Sequence, residues 1–484
     1  MKLRLIGHSD RYPVEQLQMQ LFPNEPSEFT QTPFSGDGAV SALHAGGTWL
    51  TATATITLHG KTARAAKRLR ADAESVRLRR RILQQSYYLA AVQLLGAAPP
   101  WGALAGVRPT KLSTAFLLEG GTERACDRML RDVYFISPAR RRLCLDASKY
   151  TVEAAKLLRP RDLSLYIGIP FCPTRCAYCS FVSQSVEQFG KFLPPYLGAL
   201  EREIAETGKL LRRSGYTVRT LYLGGGTPTT LSAAQIARLL DAVRASFDLS
   251  ECLEITVEGG RPDTLDAEKL RAIAACGVGR MSINPQTMQD EILRRIGRRH
   301  TSAQTVQAYR DARAAGFRSL NMDLIAGLPG DAPDRFLRSL SQIVDLAPEN
   351  ITVHTLALKK SADLFCDRGG LPTGEDVARM LDGANERLRE AGYAPYYLYR
   401  QKYTSGSFEN VGWCKPGHEG RYNIYMMEEL HSILALGGGG MNKVNLAPNE
   451  LERFHNPKYP QDYIEHIDDV LEKKRQIFRL LEEL

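Results

Sequence analysis

Short apolar runs alternate with longer amphipathic segments between residues 163 and 356. Short runs of apolar and β-branched residues bounded by turn residues predict strands, whereas apolar residues that recur every three or four positions predict helices. The predicted strands are 163–169, 219–224, 253–258, 278–284, 319–325 and 351–356. Strands that alternate with helices form parallel sheets with crossover helices. The pattern therefore predicts the α/β class, with a partial (β/α)6 barrel over residues 161–365.

Three of the connecting helices have recognisable ends. In the predicted helix 232–247, Ser232 can cap the first turn, and apolar side chains recur at helical spacing. Two more helices are predicted over 266–277 and 302–316, the latter beginning at Ser302. Both end at a glycine, which adopts the left-handed conformation that other residues resist.

The flanking regions differ in pattern from this central part. Residues 1–160 predict a basic α+β N-terminal domain, and residues 366–484 predict a C-terminal α/β extension that covers the substrate. The strands and the long basic helix of the first region are predicted at 2–6, 38–44, 49–58 and 73–95. The sequence therefore predicts three domains.

Composition indicates a folded, soluble protein. Of the 484 residues, 43% are apolar and 24% are charged, which is close to the average of globular proteins. The apolar run near the first residues is too short for a secretory signal. The sequence also lacks an apolar stretch of about 18 residues, the length needed to cross a membrane. We therefore expect a cytoplasmic protein without a transmembrane segment.

The positive charge is concentrated in the first third of the chain. The net charge is +9, and residues 1–150 alone contain 21 Lys and Arg against 12 Asp and Glu. A basic domain attracts nucleic acid, anionic lipid or a polycarboxylate substrate through its summed field. A solvated basic helix face is the simpler alternative, and the sequence leaves this choice open.

Three of the nine cysteines, Cys172, Cys176 and Cys179, stand within eight positions directly after the first predicted strand. Three thiolates from one loop can bind three irons of a 4Fe-4S cluster and leave the fourth iron without a protein ligand. A structural zinc site instead needs a fourth ligand, commonly from a second Cys-x2-Cys pair, which the sequence lacks. The spacing predicts that these three cysteines bind a 4Fe-4S cluster.

This triplet resembles the signature of the radical S-adenosylmethionine (SAM) superfamily. The residues before it, from Tyr166 to Cys172, resemble the superfamily's oxygen-independent coproporphyrinogen III oxidase (coproporphyrinogen dehydrogenase) branch, and the resemblance extends over 163–360. It implies a radical-SAM barrel whose cofactors are a 4Fe-4S cluster and S-adenosyl-L-methionine. It also implies a reducing partner such as flavodoxin or ferredoxin, because one electron is needed to cleave the cofactor.

Polar and glycine residues after the other strands match this branch. The resemblance implies that SAM is bound by Tyr166, Gly225, Gly226, Thr227, Glu258, Gln286, Arg298 and Asp323. Asp can accept hydrogen bonds from ribose hydroxyls, and Arg can pair with a carboxylate. The alternative for each polar residue taken singly is an ordinary surface position. The loop after Glu258 departs from the family pattern, because glycines precede its proline.

The resemblance implies oxidative decarboxylation of coproporphyrinogen III to protoporphyrinogen IX, a step of porphyrin and haem biosynthesis. A substrate with four carboxylates needs cations, for which Lys359, Lys360, Arg400 and the basic N-terminal domain are candidates. Alternative functions are a haem-binding chaperone or trafficking protein, a radical SAM methyltransferase that uses a second SAM molecule, and delivery of the barrel to tRNA by a nucleic-acid-binding domain.

Two departures bear on this choice. Phe181 stands where the best-known dehydrogenases have a further cysteine. At this position the chain resembles the related haem chaperones instead. The segment 422–427, however, lacks the histidine, tyrosine and tryptophan of the chaperones' haem motif. Together with the long N-terminal domain, residues 413–423 and the four glycines 437–440 resemble a bacterial group of coproporphyrinogen dehydrogenase-like proteins. His418 and Cys414 are candidates for binding haem or a propionate, with a structural role as the alternative.

Overall fold

A computed structural model describes residues 1–23, 25–181, 183–359, 361–365, 369–401, 408–447 and 450–484. The chain divides into two compact units, residues 1–145 and 146–484. In the described part of the chain, no helix is both long and apolar enough to cross a membrane. The three-domain division predicted from the sequence stays a prediction.

The first unit is a five-stranded sheet with helices. Its strands are β1 (Lys2–Ile6), β2 (Glu28–Phe29), β3 (Gly38–Gly46), β4 (Trp49–Leu58) and β5 (Lys61–Arg70). Its helices are α1 (Arg11–Leu21), α2 (Val76–Leu95), α3 (Thr110–Leu118), α4 (Glu123–Asp132) and the first part of α5 (Pro138–Lys156). The strand order is β2-β1-β3-β4-β5, with β1 parallel to both neighbours and β3, β4 and β5 antiparallel.

The predicted elements of this region are confirmed, and further elements are present. The basic helix α2 begins at Val76, after Ser75 accepts a hydrogen bond from the Leu78 amide, rather than at residue 73. Strands β2 and β5 and helix α1 were not predicted. Helix α2 covers one face of the sheet, where Tyr87 and Ala91 pack with Ala54 and other buried side chains of the strands.

The second unit contains the strands predicted for the barrel. They are β6 (Asp162–Ile169), β9 (Thr217–Gly225), β10 (Glu254–Glu258), β11 (Arg280–Ser282), β12 (Ser319–Ala326) and β13 (Asn350–Thr355). The additional strands are β7 (Phe171–Cys172), β8 (Gln184–Ser185), β14 (Ala394–Arg400), β15 (Glu409–Cys414), β16 (Ser432–Leu436), β17 (Met441–Ala447) and β18 (Glu450–His455). The helices after α5 are α6 (Val186–Phe189), α7 (Leu193–Ser214), α8 (Ala233–Ser246), α9 (Ala267–Ala275), α10 (Asp290–Arg295), α11 (Ser302–Ala314), α12 (Pro333–Leu346), α13 (Gly374–Glu390), α14 (Arg421–Glu428), α15 (Pro460–Glu465) and α16 (Ile467–Glu482).

Eleven strands form one open sheet in the order β14-β15-β13-β12-β11-β10-β9-β6-β16-β17-β18. The strands from β16 to β13 are parallel, and an antiparallel pair extends the sheet at each end. The fold matches the predicted partial barrel with a C-terminal α/β extension. The carboxyl ends of the parallel strands meet at one edge, where such sheets carry their functional groups.

The helix ends follow local hydrogen bonding. Ser232 caps α8 and exchanges hydrogen bonds with Gln235, as predicted. Helix α11 begins at Ser302, as predicted. Thr301 caps this helix, because its hydroxyl accepts a hydrogen bond from the Gln304 amide. A cap residue has extended backbone angles and lies outside the helix.

A buried polar network holds the four glycines 437–440 beside β6. The Glu203 carboxylate accepts a hydrogen bond from the Gly437 amide at 2.7 Å and forms an ion pair with Lys474 at 3.3 Å. A Cβ added at Gly437 would lie 2.5 Å from the Gly168 carbonyl oxygen. Glycine is therefore required here for close approach to the backbone of β6.

Candidate active site

A cavity of about 330 Å³ lies where the carboxyl ends of the parallel strands meet. Its lining comes from the strand ends of β9 to β13, from the loop that contains the three cysteines, and from β14, β15 and α14. All but one of the residues predicted to bind the cofactors line this cavity. The C-terminal extension contributes to it as well, through Tyr399, Asn410 and Asn423.

The three cysteine side chains line one side of the cavity. Their loop is held by two backbone hydrogen bonds of Ala177, which donates to the Ile296 carbonyl and accepts from the Leu364 amide. Burial raises the pKa of Cys179 to about 11. Burial also raises the pKa of Cys172, although hydrogen bonds from Ser183 and Thr227 oppose it. The free thiols of Cys172 and Cys179 therefore hold their protons at neutral pH, and binding of iron must displace these protons.

The cysteine spacing bears on which metal group fits. Among the residues that the structure describes, no three His, Cys, Asp or Glu side chains are close enough to hold a single metal ion. In a 4Fe-4S cluster each thiolate binds a different iron. Thiols that share a cavity without converging on one point fit that arrangement.

The glycines at the end of β9 allow two segments to come close together. A Cβ added at Gly226 would lie 2.6 Å from the Phe171 carbonyl oxygen and 2.9 Å from the Cys172 sulfur. The Gly226 and Thr227 amides donate to the carbonyl oxygens of Ile169 and Phe171 at 2.8 and 2.7 Å. The Thr227 hydroxyl lies 3.4 Å from the Cys172 sulfur. Only glycine at 226 permits this contact between β9 and the cysteine loop.

Two carboxyl groups in the cavity are in opposite protonation states. Burial, together with the charge of Asp323, raises the pKa of Glu258 to about 8. Burial also disfavours ionisation of Asp323, but hydrogen bonding and charge from His354, at 3.5 Å, outweigh it and lower the Asp323 pKa. The Asn321 amide group also donates to Asp323 at 2.7 Å. At neutral pH Glu258 therefore holds a proton, and Asp323 is an anion that accepts hydrogen bonds.

Gln286 and Arg298 also line the cavity. Gln286 has a φ of 68°, and its backbone bridges to β12 by donating to the Asp323 carbonyl and accepting from the Ile325 amide. Arg298 is buried and donates to the Asn284 carbonyl at 2.5 Å and to the Tyr178 hydroxyl at 3.3 Å. In the described part of the chain, the buried side-chain oxygens of Gln286 and Asn284 have no hydrogen-bond partner. Such buried polar atoms are costly unless a ligand satisfies them.

Tyr166 is the predicted cofactor residue that does not line the cavity. Its ring stacks on Tyr222 with centroids 6.2 Å apart, and Tyr222, which does line the cavity, stacks in turn on Tyr422 at 4.6 Å. Sequence reasoning missed Tyr222 and His354, although both stand at strand ends next to motif residues. It also missed the contributions of β14, β15 and α14, for which no motif gave a signal.

Several other candidates from the sequence lie elsewhere. Arg400 is buried and is not among the described residues that line the cavity. Lys359 does line the cavity and is exposed, whereas Lys360 lies outside the described residues. The His418 ring is hydrogen-bonded to the Ser319 hydroxyl at 2.8 Å, at the amino end of β12. Cys414 lies opposite Asn350 in the pair of β15 and β13, at the amino end of β13. Neither is part of the cavity.

Comparison with known proteins agrees with this architecture. The sequence profile of the Radical SAM superfamily matches residues 166–343. The chain is 38% identical over 385 residues to the oxygen-independent coproporphyrinogen-III oxidase-like protein HemZ of Bacillus subtilis, covering 78% of this chain and 77% of that protein. It is 29% identical over 319 residues to the heme chaperone HemW of Escherichia coli, covering 65% and 78% of the two chains.

Among solved structures, coproporphyrinogen III oxidase (HemN) from Escherichia coli, a radical SAM enzyme, matches with a TM-score of 0.54 and 26% identity. The match covers 66% of this chain and 72% of that one. The chain therefore belongs to the radical SAM superfamily, which uses a 4Fe-4S cluster and SAM, and within it to the proteins similar to oxygen-independent coproporphyrinogen III oxidase.

Proposed function

We propose that this protein is an oxidoreductase that decarboxylates two propionate side chains of coproporphyrinogen III to vinyl groups, giving protoporphyrinogen IX. The observation that carries this proposal is the cavity in which three thiols, unpartnered polar oxygens and exposed cations lie together. Similarity to HemZ and HemN supports the choice of a tetrapyrrole.

We assign the 4Fe-4S cluster to Cys172, Cys176 and Cys179. Their placement on one wall, the hydrogen bond from Thr227 to Cys172 and the close approach of Gly226 support this assignment. We further propose that the protein works in the cytoplasm, where thiols stay reduced, and that a flavodoxin or ferredoxin supplies electrons.

We assign SAM to the space in the cavity next to the cysteine loop. Gly225, Gly226 and Thr227 would hold the methionine moiety, in line with the motif they resemble. When bound and reduced, the cluster and SAM supply a 5'-deoxyadenosyl radical that removes a hydrogen atom from the substrate.

The remaining polar residues of the cavity would hold the rest of the cofactor. Ionised Asp323 can accept hydrogen bonds from ribose hydroxyls, while Gln286 and Arg298 offer buried donors and acceptors. Protonated Glu258 can donate a hydrogen bond, which an ionised carboxylate cannot do. We propose that Tyr166 acts one layer behind, by supporting the ring of Tyr222.

The mouth of the cavity is suited to an anionic macrocycle. Arg175 and Lys359 are exposed there, and the Phe181 ring is 69% exposed. Cations can pair with propionates, and an exposed ring can stack on a tetrapyrrole. Each vinyl group forms when a propionate loses one hydrogen atom, CO₂ and one electron, so the reaction also needs an external electron acceptor.

The test is anaerobic turnover of the reconstituted protein with coproporphyrinogen III, SAM, a reductant for the cluster and an added electron acceptor. We expect the tetrapyrrole to lose the mass of two CO₂ and four hydrogens, with formation of 5'-deoxyadenosine. Cleavage of SAM that leaves the tetrapyrrole unchanged would contradict the proposal.

A haem chaperone is the second candidate function. Phe181 in place of the extra cysteine favours it, as does α14, because Asn423 and Met427 of the segment 422–427 line the cavity. Similarity to HemW supports it too. Stoichiometric binding of haem, measured by its absorption spectrum, without decarboxylation of coproporphyrinogen would establish this alternative.

A further inference from the structure

The proposed function makes no use of the outer face of the sheet in residues 1–145. Helix α2 packs on the inner face through residues such as Leu50 and Ala52 of β4. Neighbouring residues of a strand point to opposite faces. The alternate residues of β4, from Trp49 through Thr51, Thr53, Thr55 and Thr57, therefore point away from α2.

Strand register places arginines beside this row of threonines. In the antiparallel pair of β4 and β5, Arg68 lies opposite Thr51, and Arg64 lies opposite Thr55. Both arginines are exposed, and the alternation of β5 puts them on the same outer face. The result is a surface with a row of hydroxyl groups next to a row of cations. We call it the threonine-arginine face.

These cations are available to a ligand. In the described part of the chain, Arg64 and Arg68 make no side-chain hydrogen bond and no ion pair. Arg70 pairs with Asp72 at 2.8 Å, but both side chains are 65% exposed. Exposed pairs of this kind contribute little stability and are readily exchanged. β5 is also the last strand of its sheet, so its outer edge is unpaired within that sheet.

An exposed aromatic ring completes the surface. Trp49 lies opposite Arg70 and is 44% exposed, whereas Trp101 and Trp413 are 1% and 2% exposed. Bases stack on exposed aromatic side chains beside cations that track the phosphates, and hydroxyl groups add hydrogen bonds. A membrane surface would instead be bound by several large apolar side chains on one face. This face offers one such ring among threonines.

We propose that the threonine-arginine face binds single-stranded nucleic acid, with Arg64, Arg68 and Arg70 contacting phosphates and Trp49 stacking on a base. The concentration of positive charge in the first 150 residues supports a negatively charged ligand. This inference is independent of the reaction proposed for the cavity.

The test uses the full-length protein and a fluorescein-labelled uridine 15-mer, with binding followed by anisotropy at several salt concentrations. We expect saturable binding. A plot of the logarithm of the binding constant against the logarithm of salt concentration should have a slope of about −2, because about three phosphates are contacted. Absence of saturable binding at low salt would overturn the proposal.

Charge reversal gives a matched comparison. Arg64→Glu with Arg68→Glu should weaken binding by about tenfold or more and flatten the salt slope. Arg124→Glu with Arg128→Glu makes the same change of charge at exposed positions of α4 and should leave binding nearly unchanged. Equal losses in both proteins would mean a general charge effect and would overturn the site. Arg64→Gln with Arg68→Gln provides a milder pair if the reversed protein unfolds.

Tryptophan fluorescence gives a second measurement at the same site. Because the other two tryptophans are buried, quenching by the unlabelled oligonucleotide should come from Trp49 and should vanish in Trp49→Phe. Quenching that persists in this variant would contradict base stacking at Trp49. Anionic vesicles that displace the oligonucleotide at equal charge concentration would favour a membrane ligand and overturn the proposal.

Discussion

The two sheets of this chain carry their distinctive side chains in different places. In residues 146–484, the cavity is lined by strand ends such as Gly225, Glu258 and Asp323. In residues 1–145, Arg64 and Arg68 lie within a strand and point out from a sheet face. Parallel strands are covered on both faces, so their ends remain for chemistry, whereas antiparallel strands such as β3, β4 and β5 can leave a whole face to solvent. The difference separates a site for a small cofactor from a surface for an extended ligand.

The largest expected effect tests the strand-end site. Cys176→Ala should remove cluster binding after reconstitution, because two thiolates no longer hold three irons. Iron content should fall from about four per chain to far below one, with loss of the visible absorption of the cluster. Cys252→Ala, which removes a partly buried thiol away from the cavity, is the control. A cluster retained at full occupancy in Cys176→Ala would contradict the assignment.

The next effect concerns close packing at the end of β9. In Gly226→Ala, the new methyl group would meet the Phe171 carbonyl and the Cys172 sulfur, so one of the two segments must shift. We expect SAM affinity of the reconstituted protein, measured by equilibrium dialysis, to fall by about tenfold or more. Gly198→Ala, on α7 with no atom within 4 Å of the new methyl group, should bind normally. Unchanged affinity in Gly226→Ala would show that the strand end tolerates displacement.

Glu258 should produce a pH-dependent stability of the ligand-free protein. Because its pKa in the fold is about 8 and that of the unfolded chain is near its ordinary value of 4.5, the folded state keeps a proton between these values that the unfolded state loses. Stability therefore falls as pH rises through this window, by about 2 kcal/mol between pH 6 and 7.5, which corresponds to a few degrees in Tm.

Glu258→Gln lacks this titration, so its Tm should rise relative to the original protein as pH increases from 6 to 8. The exposed Glu268→Gln serves as the matched control and should follow the original protein. Parallel melting curves for all three proteins over this range would mean that Glu258 is ionised throughout.

The smallest effect tests the sheet face. Arg64→Gln with Arg68→Gln should change Tm by about 1 °C or less and leave iron content unaltered, because exposed side chains without partners contribute little to stability. Ala54→Asp, on the inner face of neighbouring β4, should unfold this unit, since it buries an unpaired charge. A large loss of stability in the arginine variant, followed by circular dichroism, would show that the two faces are not distinct.

The sequence predicted the parallel strands well, because each is a short apolar run between turn residues and is buried on both faces. It missed β5, whose Lys, Arg and Ala residues are poor strand formers, since pairing with β4 decides its conformation rather than local preference. The strand predicted at 278–284 is shorter, at Arg280–Ser282.

For the site, the residues that follow motifs on the barrel strands lie together in one cavity, and their roles in binding stay a prediction. The sequence could not place Arg400 or the residues of β14 and β15. Their position depends on antiparallel pairing of β14 with β15 and of β15 with β13, which is distant in sequence. The alternation that puts Arg400 on a buried face is clear only once that register is known.

Strand β6 has neighbours that are synthesised at very different times. Its partner β9 follows shortly after it, but β16 comes so late that Ser164 and His431, which are hydrogen-bonded across this pair, are 267 residues apart. The ion pair of Glu203 and Lys474, beside the glycines that follow β16, needs α16, which is synthesised later still. During translation the cysteine loop therefore emerges long before its supporting sheet is complete. A chain that stops before Ser432 would carry every cysteine of the triplet and still lack β16, one of the two neighbours of β6. We therefore expect iron to be inserted after the chain has been released.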